Sequence, residues 1–320
     1  MLTIQKFGGS SLADIDKLRR AAGRCMDAMQ NGQKVVMVVS AMGDTTDDLA
    51  ALAHEINPDP PKRESDALLT SGEQQSAALM AIMLDSMGTK AISLTGWQSG
   101  IFTDGVYGDA SPEVTFPNRI ADALEEGIVP VVTGFQGVDI AGNITSLGRG
   151  GSDTTAVLLS AALNADRCEI YTDVDGIYTA DPRLVKDARR VAVIDYRDML
   201  TLSLEGSQVL HHKSVTLAMV NGVDIHLLPA NGKGGGSIVT ALSDEERPAL
   251  AGVTKNENTG GIALVGKGCC AELLPQTVLE LADSGIRVSG GGIRGNCMYL
   301  TVDKEQLAIA VQLLHDMYFR

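Results

Sequence analysis

The sequence Gly148-Arg149-Gly150-Gly151-Ser152-Asp153-Thr154-Thr155 is a glycine-rich turn that runs directly into the apolar segment of residues 156–163. Its glycines let the backbone approach a ligand closely, and Ser152 or Asp153 is expected to cap the following helix. Arg149 adds a guanidinium fork that fits a carboxylate or a phosphate. The stretch therefore predicts a helix over the apolar segment and an anion-binding site at its start.

The composition favours a small ligand over a polymer. The chain has 320 residues, 44% of them hydrophobic, which is enough for a full core and fits two domains better than one. Its net charge of -14 repels nucleic acids and anionic membranes, and the sequence shows no basic patch that would offset this charge. We therefore expect neither nucleic acid nor membrane as a partner.

The cysteines and the N-terminus indicate a reducing compartment. Cys25, Cys168, Cys269, Cys270 and Cys297 are odd in number and form no CxxC pair, which argues against a disulfide framework and a structural zinc site. The first residues lack the features of a secretory signal, and no apolar run reaches the roughly 18 residues that span a bilayer. The sequence predicts a cytoplasmic protein without a metal site of its own.

Short β-rich apolar runs alternate with helical patterns up to about residue 240. This order indicates an α/β domain around a largely parallel sheet. The predicted strands cover residues 2–6, 34–40, 90–95, 128–133, 168–172 and 224–228. The predicted helices cover residues 14–30, 65–87, 118–126 and 152–164, where apolar residues recur at three- and four-residue spacing.

A glycine-rich run at residues 231–236 and a charged, proline-ended run at residues 243–248 indicate a linker. Beyond it the pattern predicts a small βαββα unit. Its strands cover residues 262–265, 286–289 and 298–302, and its helices cover residues 274–284 and the segment capped by Asp303. We expect residues 249–254 to add the strand that closes this sheet. The predicted domains are residues 1–242 and 243–320.

Residues 6–11, Lys-Phe-Gly-Gly-Ser-Ser, follow the first predicted strand and precede the first helix. Backbone N–H groups and the helix dipole face one point there, so a phosphate fits. The GxxxxGK[ST] spacing of a Walker loop is absent. On its own, a Gly-Gly turn after a strand is more often a simple tight turn than a phosphate site.

Residues 172–183, Thr-Asp-Val-Asp-Gly-Ile-Tyr-Thr-Ala-Asp-Pro-Arg, follow another predicted strand. They place three carboxylates, a tyrosine and an arginine where α/β sheets bind ligands. A solvated acidic turn is the alternative. A calcium loop is not expected, because Val185 stands where that motif needs a glutamate.

Two further segments place hydroxyl or carboxylate groups beside a glycine. Residues 40–46, Ser-Ala-Met-Gly-Asp-Thr-Thr, close the second predicted strand, and residues 70–74, Thr-Ser-Gly-Glu-Gln, interrupt or bend a long helix. Glu73 is suited to pair with a substrate ammonium group, or it is an ordinary exposed helix glutamate. Neither segment alone indicates a function.

Together, in order and spacing, the motifs resemble the aspartate kinases of the amino acid kinase superfamily. They cover residues 6–11, 40–46, 69–74, 93–97 with Gly100, 134–138, 147–155 and 171–183. Ser-Ala-Met-Gly, Ser-Gly-Glu-Gln and Gly-Arg-Gly-Gly-Ser-Asp are the most specific to aspartate kinases. The first and last motifs also resemble other amino acid and nucleoside monophosphate kinases. The resemblance implies a three-layer α/β sandwich followed by a small α+β, ferredoxin-like ACT domain.

This resemblance implies ATP-dependent phosphorylation of the L-aspartate side chain to 4-phospho-L-aspartate, the entry to lysine, threonine and methionine synthesis. Lys6 would neutralise phosphate charge, and Asp153 would orient Lys6 and the phosphoryl group. The nucleotide would contact Lys6, Gly8, Gly9, Ser10, Thr172, Asp173, Asp175, Tyr178, Asp181 and Arg183. The amino acid would contact Ser40, Thr46, Glu73, Arg149, Gly150, Gly151 and Ser152. Mg²⁺ would be held through ATP oxygens and water.

The chain departs from the aspartate kinase pattern at several places. Gln208 replaces a lysine that reaches the nucleotide, and residues 107–111, Tyr-Gly-Asp-Ala-Ser, replace a His-Gly-Asn-Ala-Arg type of run. Residues 211–213, His-His-Lys, replace the usual His-Pro-Arg. The segment from residue 249 onward resembles one ACT module instead of two.

The resemblance also implies a homodimer through the C-terminal domain and an amino-acid effector whose identity the motifs do not give. Two alternatives remain. Residues 107–111 would suit a kinase that acts on another acidic amino acid, and Gln208 would suit a non-catalytic, amino-acid-sensing regulatory subunit.

Overall fold

The structure is a computed structural model that describes the backbone of residues 1–320 and every side chain except those of residues 113 and 114. It divides into two compact units. The first consists of residues 1–175 and 220–234, and the second consists of residues 176–219 and 235–320. The domain boundary expected between residues 242 and 243 stays a prediction, and the compact units divide the chain at other positions.

Strands and helices alternate along most of the chain. In chain order, the strands are β1 (Leu2–Phe7), β2 (Lys34–Val39), β3 (Ala91–Leu94), β4 (Ile101–Thr103), β5 (Pro112–Thr115), β6 (Val129–Thr133), β7 (Gln136–Val138), β8 (Ile144–Ser146), β9 (Arg167–Thr172), β10 (Ile177–Tyr178), β11 (Arg190–Val191), β12 (Val193–Asp195), β13 (Ile225–Pro229), β14 (Ser237–Thr240), β15 (Gly252–Asn256), β16 (Gly261–Val265), β17 (Val288–Arg294) and β18 (Cys297–Val302). The α-helices are α1 (Ile15–Gln30), α2 (Thr45–Ile56), α3 (Lys62–Leu69), α4 (Ser71–Ser86), α5 (Asn118–Glu125), α6 (Gly151–Ala162), α7 (Tyr196–Leu204), α8 (His212–Asn221), α9 (Leu273–Asp283) and α10 (Leu307–Phe319), and short 3-10 turns cover Gly9–Ser11 and Lys304–Gln306. None of the helices in the described part of the chain combines the length and apolar character that a membrane crossing requires.

In the first unit, parallel strands lie side by side in the order β13-β9-β1-β2-β6-β3. β6 is buried along its whole length, and β2 is buried from its second residue onward. Strands that are covered on both faces read as continuous apolar runs, which is why the sequence predicts each of these strands. The predicted ends are confirmed to within one residue.

Helices cover both faces of these parallel strands. Side chains along β1 alternate between the faces, so Phe7 and Lys6 point in opposite directions. Phe7 belongs to a core cluster with Leu18 of α1 and Met80 of α4. Lys6 reaches Asp153 of α6 on the other face. The predicted three-layer sandwich is therefore confirmed.

A small sheet of order β5-β4-β7-β8 also belongs to the first unit. β7 and β8 are antiparallel, and the turn that joins them is closed by Asp139, whose Oδ1 accepts the N–H groups of Ala141 and Asn143. The sequence does not predict this sheet, because strands of three or four residues are too short to show a period. Its importance is that β8 leads directly into the turn around Arg149.

The second unit contains the antiparallel sheet β15-β16-β18-β17, which packs against α9 and α10. Leu264, Leu300 and Leu314 lie in its core. The predicted βαββα pattern is confirmed, and β15 is the additional strand expected from residues 249–254. The last helix begins later than expected, because Asp303 precedes a 3-10 turn and makes no side-chain capping bond.

Residues 176–188 also belong to the second unit. The Val253 N–H in β15 donates to the Thr179 carbonyl at 2.7 Å. The Thr179 hydroxyl is hydrogen-bonded to His315 Nε2 in α10 at 2.9 Å, and Val185 joins the core of the sheet. This segment carries part of the predicted nucleotide loop, and it packs with the C-terminal sheet.

A buried ion-pair network also stabilises the second unit. The Arg247 side chain is 6% exposed, and its Nη2 and Nε donate to the Asp198 carboxylate at 2.6 and 3.2 Å. Asn296, in the turn between β17 and β18, donates to the same carboxylate at 2.7 Å. The network joins α7, the segment before β15 and the β17–β18 hairpin.

We predict that Arg247→Ala lowers the free energy of unfolding by about 3–5 kcal/mol, because it leaves the Asp198 carboxylate buried without its cation. Urea denaturation measures this change. The control is Arg19→Ala, which breaks an exposed pair with Asp16 and should cost less than about 1 kcal/mol. A loss of less than about 1 kcal/mol in Arg247→Ala would contradict a stabilising role for the network.

Candidate active site

A cleft of about 770 Å³ in the first unit collects most of the predicted site. It lies where β1, β2 and α6 meet the turn that follows β8. The predicted residues that line it are Lys6, Gly8, Gly9, Ser40, Thr46, Glu73, Arg149, Gly150, Gly151, Ser152 and Asp153. The structure therefore brings every predicted catalytic and substrate-binding residue to one cleft.

An ion pair between Lys6 and Asp153 crosses one wall of the cleft. Lys6 Nζ lies 2.6 Å from Asp153 Oδ1, and the two side chains are only 11% and 13% exposed. Lys6 extends from the end of β1, and Asp153 lies in the first turn of α6, where the helix dipole favours a carboxylate. The pair holds a positive charge at a fixed place beside the glycines of the loop after β1.

The turn before α6 presents Arg149 to the cleft. Gly148 and Gly150 both have φ of +71°, a left-handed conformation that glycine adopts without a steric penalty. Arg149 is exposed between them, and no ion-pair partner for its guanidinium lies among the described side chains. The group is therefore available to a bound anion.

The expectation that Ser152 or Asp153 caps α6 is wrong. Gly150 is the N-cap residue, and no side chain makes a capping bond there. Both predicted caps lie inside the first turn, because the helix begins at Gly151. Asp153 is free to pair with Lys6 for that reason.

Glu73 lies in the first turn of α4, after a break at Thr70 that divides the predicted long helix into α3 and α4. The residue is 3% exposed, and its Oε1 accepts the Ala41 N–H at 3.1 Å. Within the described part of the chain, no group donates to its buried Oε2. Burial raises the pKa of Glu73 to about 7. The carboxyl group thus lacks a cation and lines the same cleft as Arg149.

The loop after β1 folds into a single 3-10 turn. The N–H groups of Ser11 and Leu12 donate to the carbonyls of Gly8 and Gly9, which leaves the N–H groups at the start of the turn without intrahelical partners. The Gly8 N–H is already bonded to the Tyr171 carbonyl at 3.2 Å. Fewer backbone donors are therefore available to a phosphate than the motif suggests.

A second cavity, of about 300 Å³, lies on the side of the loop that faces α1. Ser10 and Asp173, two of the predicted nucleotide-binding residues, line it. Lys17, Arg20 and Asn231 line it as well, and the sequence motifs do not include them. Ser10 thus lines this smaller cavity, whereas Gly8 and Gly9 line the larger cleft.

The predicted acidic loop is divided between the two units. Thr172 and Asp173 belong to the first unit, where the threonine hydroxyl donates to the aspartate at 3.1 Å, and Asp175 belongs there too. Tyr178, Asp181 and Arg183 belong to the second unit. Arg183 forms a bidentate pair with Asp181, and these hydrogen bonds lower the pKa of Asp181.

Several residues that line the cleft are absent from the predicted site. They are Asp47, Ala50, Lys62, Ser65, Asp66, Leu69, Tyr107, Gly108, Asp109, Phe135, Ser146 and Gly148. Asp66 gives no distinct signal in the sequence, because a single acid on a helix usually faces solvent. Ser146 gives none either, since it lies in the unpredicted small sheet. Leu69, Phe135 and Gly148 fall within the motifs of residues 69–74, 134–138 and 147–155, so the sequence did offer them. Among the described side chains, no group of three or more His, Cys, Asp or Glu residues is arranged to hold a metal ion.

The chain is similar to known proteins over most of its length. The amino acid kinase family matches residues 1–229. An aspartokinase of Mycolicibacterium smegmatis is 46% identical over 269 residues, which cover 83% of this chain and 64% of that protein. An aspartokinase of Thermus thermophilus is 43% identical over 287 residues, which cover 90% of this chain and 71% of that protein. The chain thus spans 64% to 71% of the length of these relatives.

Solved structures are similar as well. Aspartokinase III of E. coli, in complex with aspartate and ADP, has a TM-score of 0.87 and 21% identity, and the match covers 100% of both chains. At this identity the similarity concerns the fold. The aspartate kinase from Synechocystis has a TM-score of 0.68 and 37% identity, over 99% of this chain and 55% of that one.

We predict that Gly9→Ala destabilises the protein by about 1–3 kcal/mol, because its Cβ would lie 2.7 Å from the Ala41 carbonyl oxygen. Thermal or urea unfolding measures the effect. The matched control is Gly23→Ala in α1, whose Cβ would meet nothing within 4 Å. That change should stabilise the helix by about 0.5–1 kcal/mol. Equal stability of the two variants would show that the loop tolerates a side chain.

Proposed function

We propose that the chain, which belongs to the aspartokinases of the amino acid kinase family, transfers the γ-phosphoryl group of ATP to the side-chain carboxylate of L-aspartate. The observation that carries the proposal is the arrangement of three charges around one cleft. The cation of Lys6 is held by Asp153, Arg149 has no partner among the described side chains, and Glu73 lacks a cation. An α-amino acid with a second carboxylate complements these charges.

The amino acid substrate would bind between Arg149 and Glu73. A guanidinium donates two parallel hydrogen bonds to a carboxylate, and the exposed Arg149 has this fork available. Glu73 would accept the α-ammonium group, whose charge favours the ionised form of the buried carboxyl group. Ser40, Thr46 and Ser152 line the same cleft and offer hydroxyl groups for further hydrogen bonds. Gly150 and Gly151 line the cleft at the helix terminus where the substrate would bind, and Gly151 packs so closely that a Cβ there would lie 2.8 Å from the Phe135 ring.

Phosphoryl transfer would depend on positioning and charge. The attacking carboxylate of aspartate is ionised at neutral pH, so this chain needs no general base. Lys6 would stabilise the charge that develops on the transferred group, and Asp153 would keep its ammonium group in place. Gly8 and Gly9 line the cleft with Lys6, and this loop would bind the phosphates through the Gly9 backbone N–H, because the Gly8 N–H is bonded to the Tyr171 carbonyl.

Within the first unit, the nucleotide would reach from this loop towards Ser10, Thr172, Asp173 and Asp175. The roles of Tyr178, Asp181 and Arg183 in nucleotide binding stay predictions. These nucleotide-binding residues fit a magnesium nucleotide, because Asp173 has an exposed carboxylate and Mg²⁺ prefers oxygen ligands. Mg²⁺ would be held mainly by ATP oxygens and water, and it would neutralise charge on the phosphate oxygens. A homodimer through the C-terminal sheet, an amino-acid effector and a cytoplasmic location remain predictions.

Trapping of the acyl phosphate by hydroxylamine tests the function. With MgATP, the wild type should form aspartyl hydroxamate from L-aspartate and much less product from glutamate or N-acetylglutamate. Lys6→Ala should lower turnover at least about 100-fold, whereas Lys34→Ala, at an exposed position of β2, should change it less than about twofold. Product from another acidic amino acid alone would indicate a shifted substrate. Amino-acid binding without any product would indicate a sensor.

We predict that kcat/KM for aspartate falls as the pH drops below 7. The pKa of Glu73 is raised to about 7, so the group is neutral at lower pH and cannot pair with an ammonium ion. The decrease should approach tenfold per pH unit at saturating MgATP. Glu73→Gln should have a low kcat/KM without this dependence. A pH profile of Glu73→Gln that matches the wild type would exclude Glu73 as the titrating group.

A further inference from the structure

Asp66 is a buried acid in the wall of the cleft that the proposed roles do not use. It lies in α3, and the residue is 1% exposed. Its Oδ2 accepts the backbone N–H groups of Gly108 at 2.9 Å and Ser146 at 2.8 Å. Its Oδ1 accepts the Ser146 hydroxyl at 2.7 Å. A buried carboxylate is costly unless donors satisfy it, and here donors from two separate segments do so.

These hydrogen bonds join the two segments beside Arg149. Ser146 ends β8, and Arg149 follows it in the turn before α6. The Ala110 N–H donates to the Ser146 carbonyl at 2.9 Å. Gly148 packs so closely on the neighbouring loop that a Cβ there would lie 2.3 Å from Asp109 Oδ1. The loop and the turn therefore form one packed assembly, and a single carboxylate binds both.

Asp66 is also connected to the break before Glu73. The Thr70 hydroxyl donates to the Asp66 carbonyl at 2.7 Å. The Thr70 carbonyl in turn accepts the side-chain amide of Gln136, the first residue of β7, at 3.1 Å. Hydrogen bonds thus link Asp66 both to the helix break that positions Glu73 and to the turn that presents Arg149.

We propose that Asp66 is a positioning residue for recognition of the amino acid substrate. Its carboxylate fixes the turn of Arg149 and the loop of Tyr107 and Gly108 relative to Glu73, so that both ends of one amino acid are bound at once. This inference rests on the proposed function, which assigns Arg149 and Glu73 to the two ends of the substrate. Tyr107 lines the cleft, so the same loop forms part of the acceptor pocket.

Two substitutions of Asp66 distinguish a positioning role from a direct role of its negative charge. In Asp66→Asn, the side-chain carbonyl keeps both backbone N–H partners, and the amide donates to the Ser146 hydroxyl. In Asp66→Ala, the N–H groups of Gly108 and Ser146 lose their acceptor. A positioning role therefore predicts that Asp66→Asn keeps substrate recognition and that Asp66→Ala loses it. If the Asp66 carboxylate instead bound an ammonium group or a metal ion directly, both substitutions would abolish that binding.

Initial-rate kinetics with aspartate and MgATP test the proposal. Asp66→Ala should raise KM for aspartate about 10- to 100-fold, with kcat changed less than about threefold, because two or three hydrogen bonds are lost. Asp66→Asn should restore KM to within about threefold of the wild type. The control is Asp195→Ala, which removes another buried carboxylate that accepts two backbone N–H groups, from Arg197 and Leu242, in the second unit. Its KM for aspartate should stay within about twofold.

The outcomes distinguish this proposal from the function itself. A wild type that forms no aspartyl hydroxamate contradicts the function. An active wild type with an unchanged KM in Asp66→Ala overturns the positioning role alone, and so does an equal loss in the Asn and Ala variants. If circular dichroism and thermal unfolding show that Asp66→Ala does not fold, Ser146→Ala replaces it. That variant removes one bond and should raise KM about two- to fivefold, and an unchanged KM overturns the proposal.

Discussion

The ion pair between Lys6 and Asp153 is the interaction on which the cleft depends. It joins the end of a central parallel strand to the first turn of α6, and it is almost fully shielded from solvent. Removal of either partner would leave an uncompensated buried charge, which costs several kcal/mol. The position of the Lys6 ammonium group is therefore fixed by the strand that carries it and by the helix that carries its partner. The loop after β1 and the turn before α6 flank this same pair, so phosphate and amino acid would meet at it.

The amino acid side of the cleft depends on a different constraint, which is the packing of short segments on one another. Arg149 has no partner among the described side chains, so its position depends on the backbone of its turn. That backbone is left-handed at Gly148 and Gly150 and is tied through Ser146 to Asp66. A flexible guanidinium then needs only small side-chain adjustments to meet a carboxylate. In the proposed role, the hydrogen bonds of the buried Asp66 hold the turn from which Arg149 would contact the ligand.

The parts of the fold that the sequence predicts are those with a clear period or a long apolar run. The parallel strands and α1 belong to this group, and so does the strand from residues 249–254. The small sheet that carries Ser146 does not, because its strands are too short to show alternation. The wrong capping assignment at Ser152 has a similar origin, since a glycine with positive φ takes the N-cap position and the sequence does not reveal that dihedral angle. Asp66 was missed because a single acid on a helix usually faces solvent.

The acidic loop is a second place where residues that are close in sequence do not belong to one structural unit. Residues 172–183 read as one motif, yet the chain passes from the first compact unit to the second within it. From Thr179 onward the loop is held by backbone and side-chain bonds to β15 and α10, and Val185 is buried in the core of the C-terminal sheet. A boundary at residue 242 follows the change in composition, but it separates these residues from the strand and helix that order them. The part of the loop from Thr179 onward therefore depends for its conformation on the C-terminal sheet and not on the strand that precedes the motif.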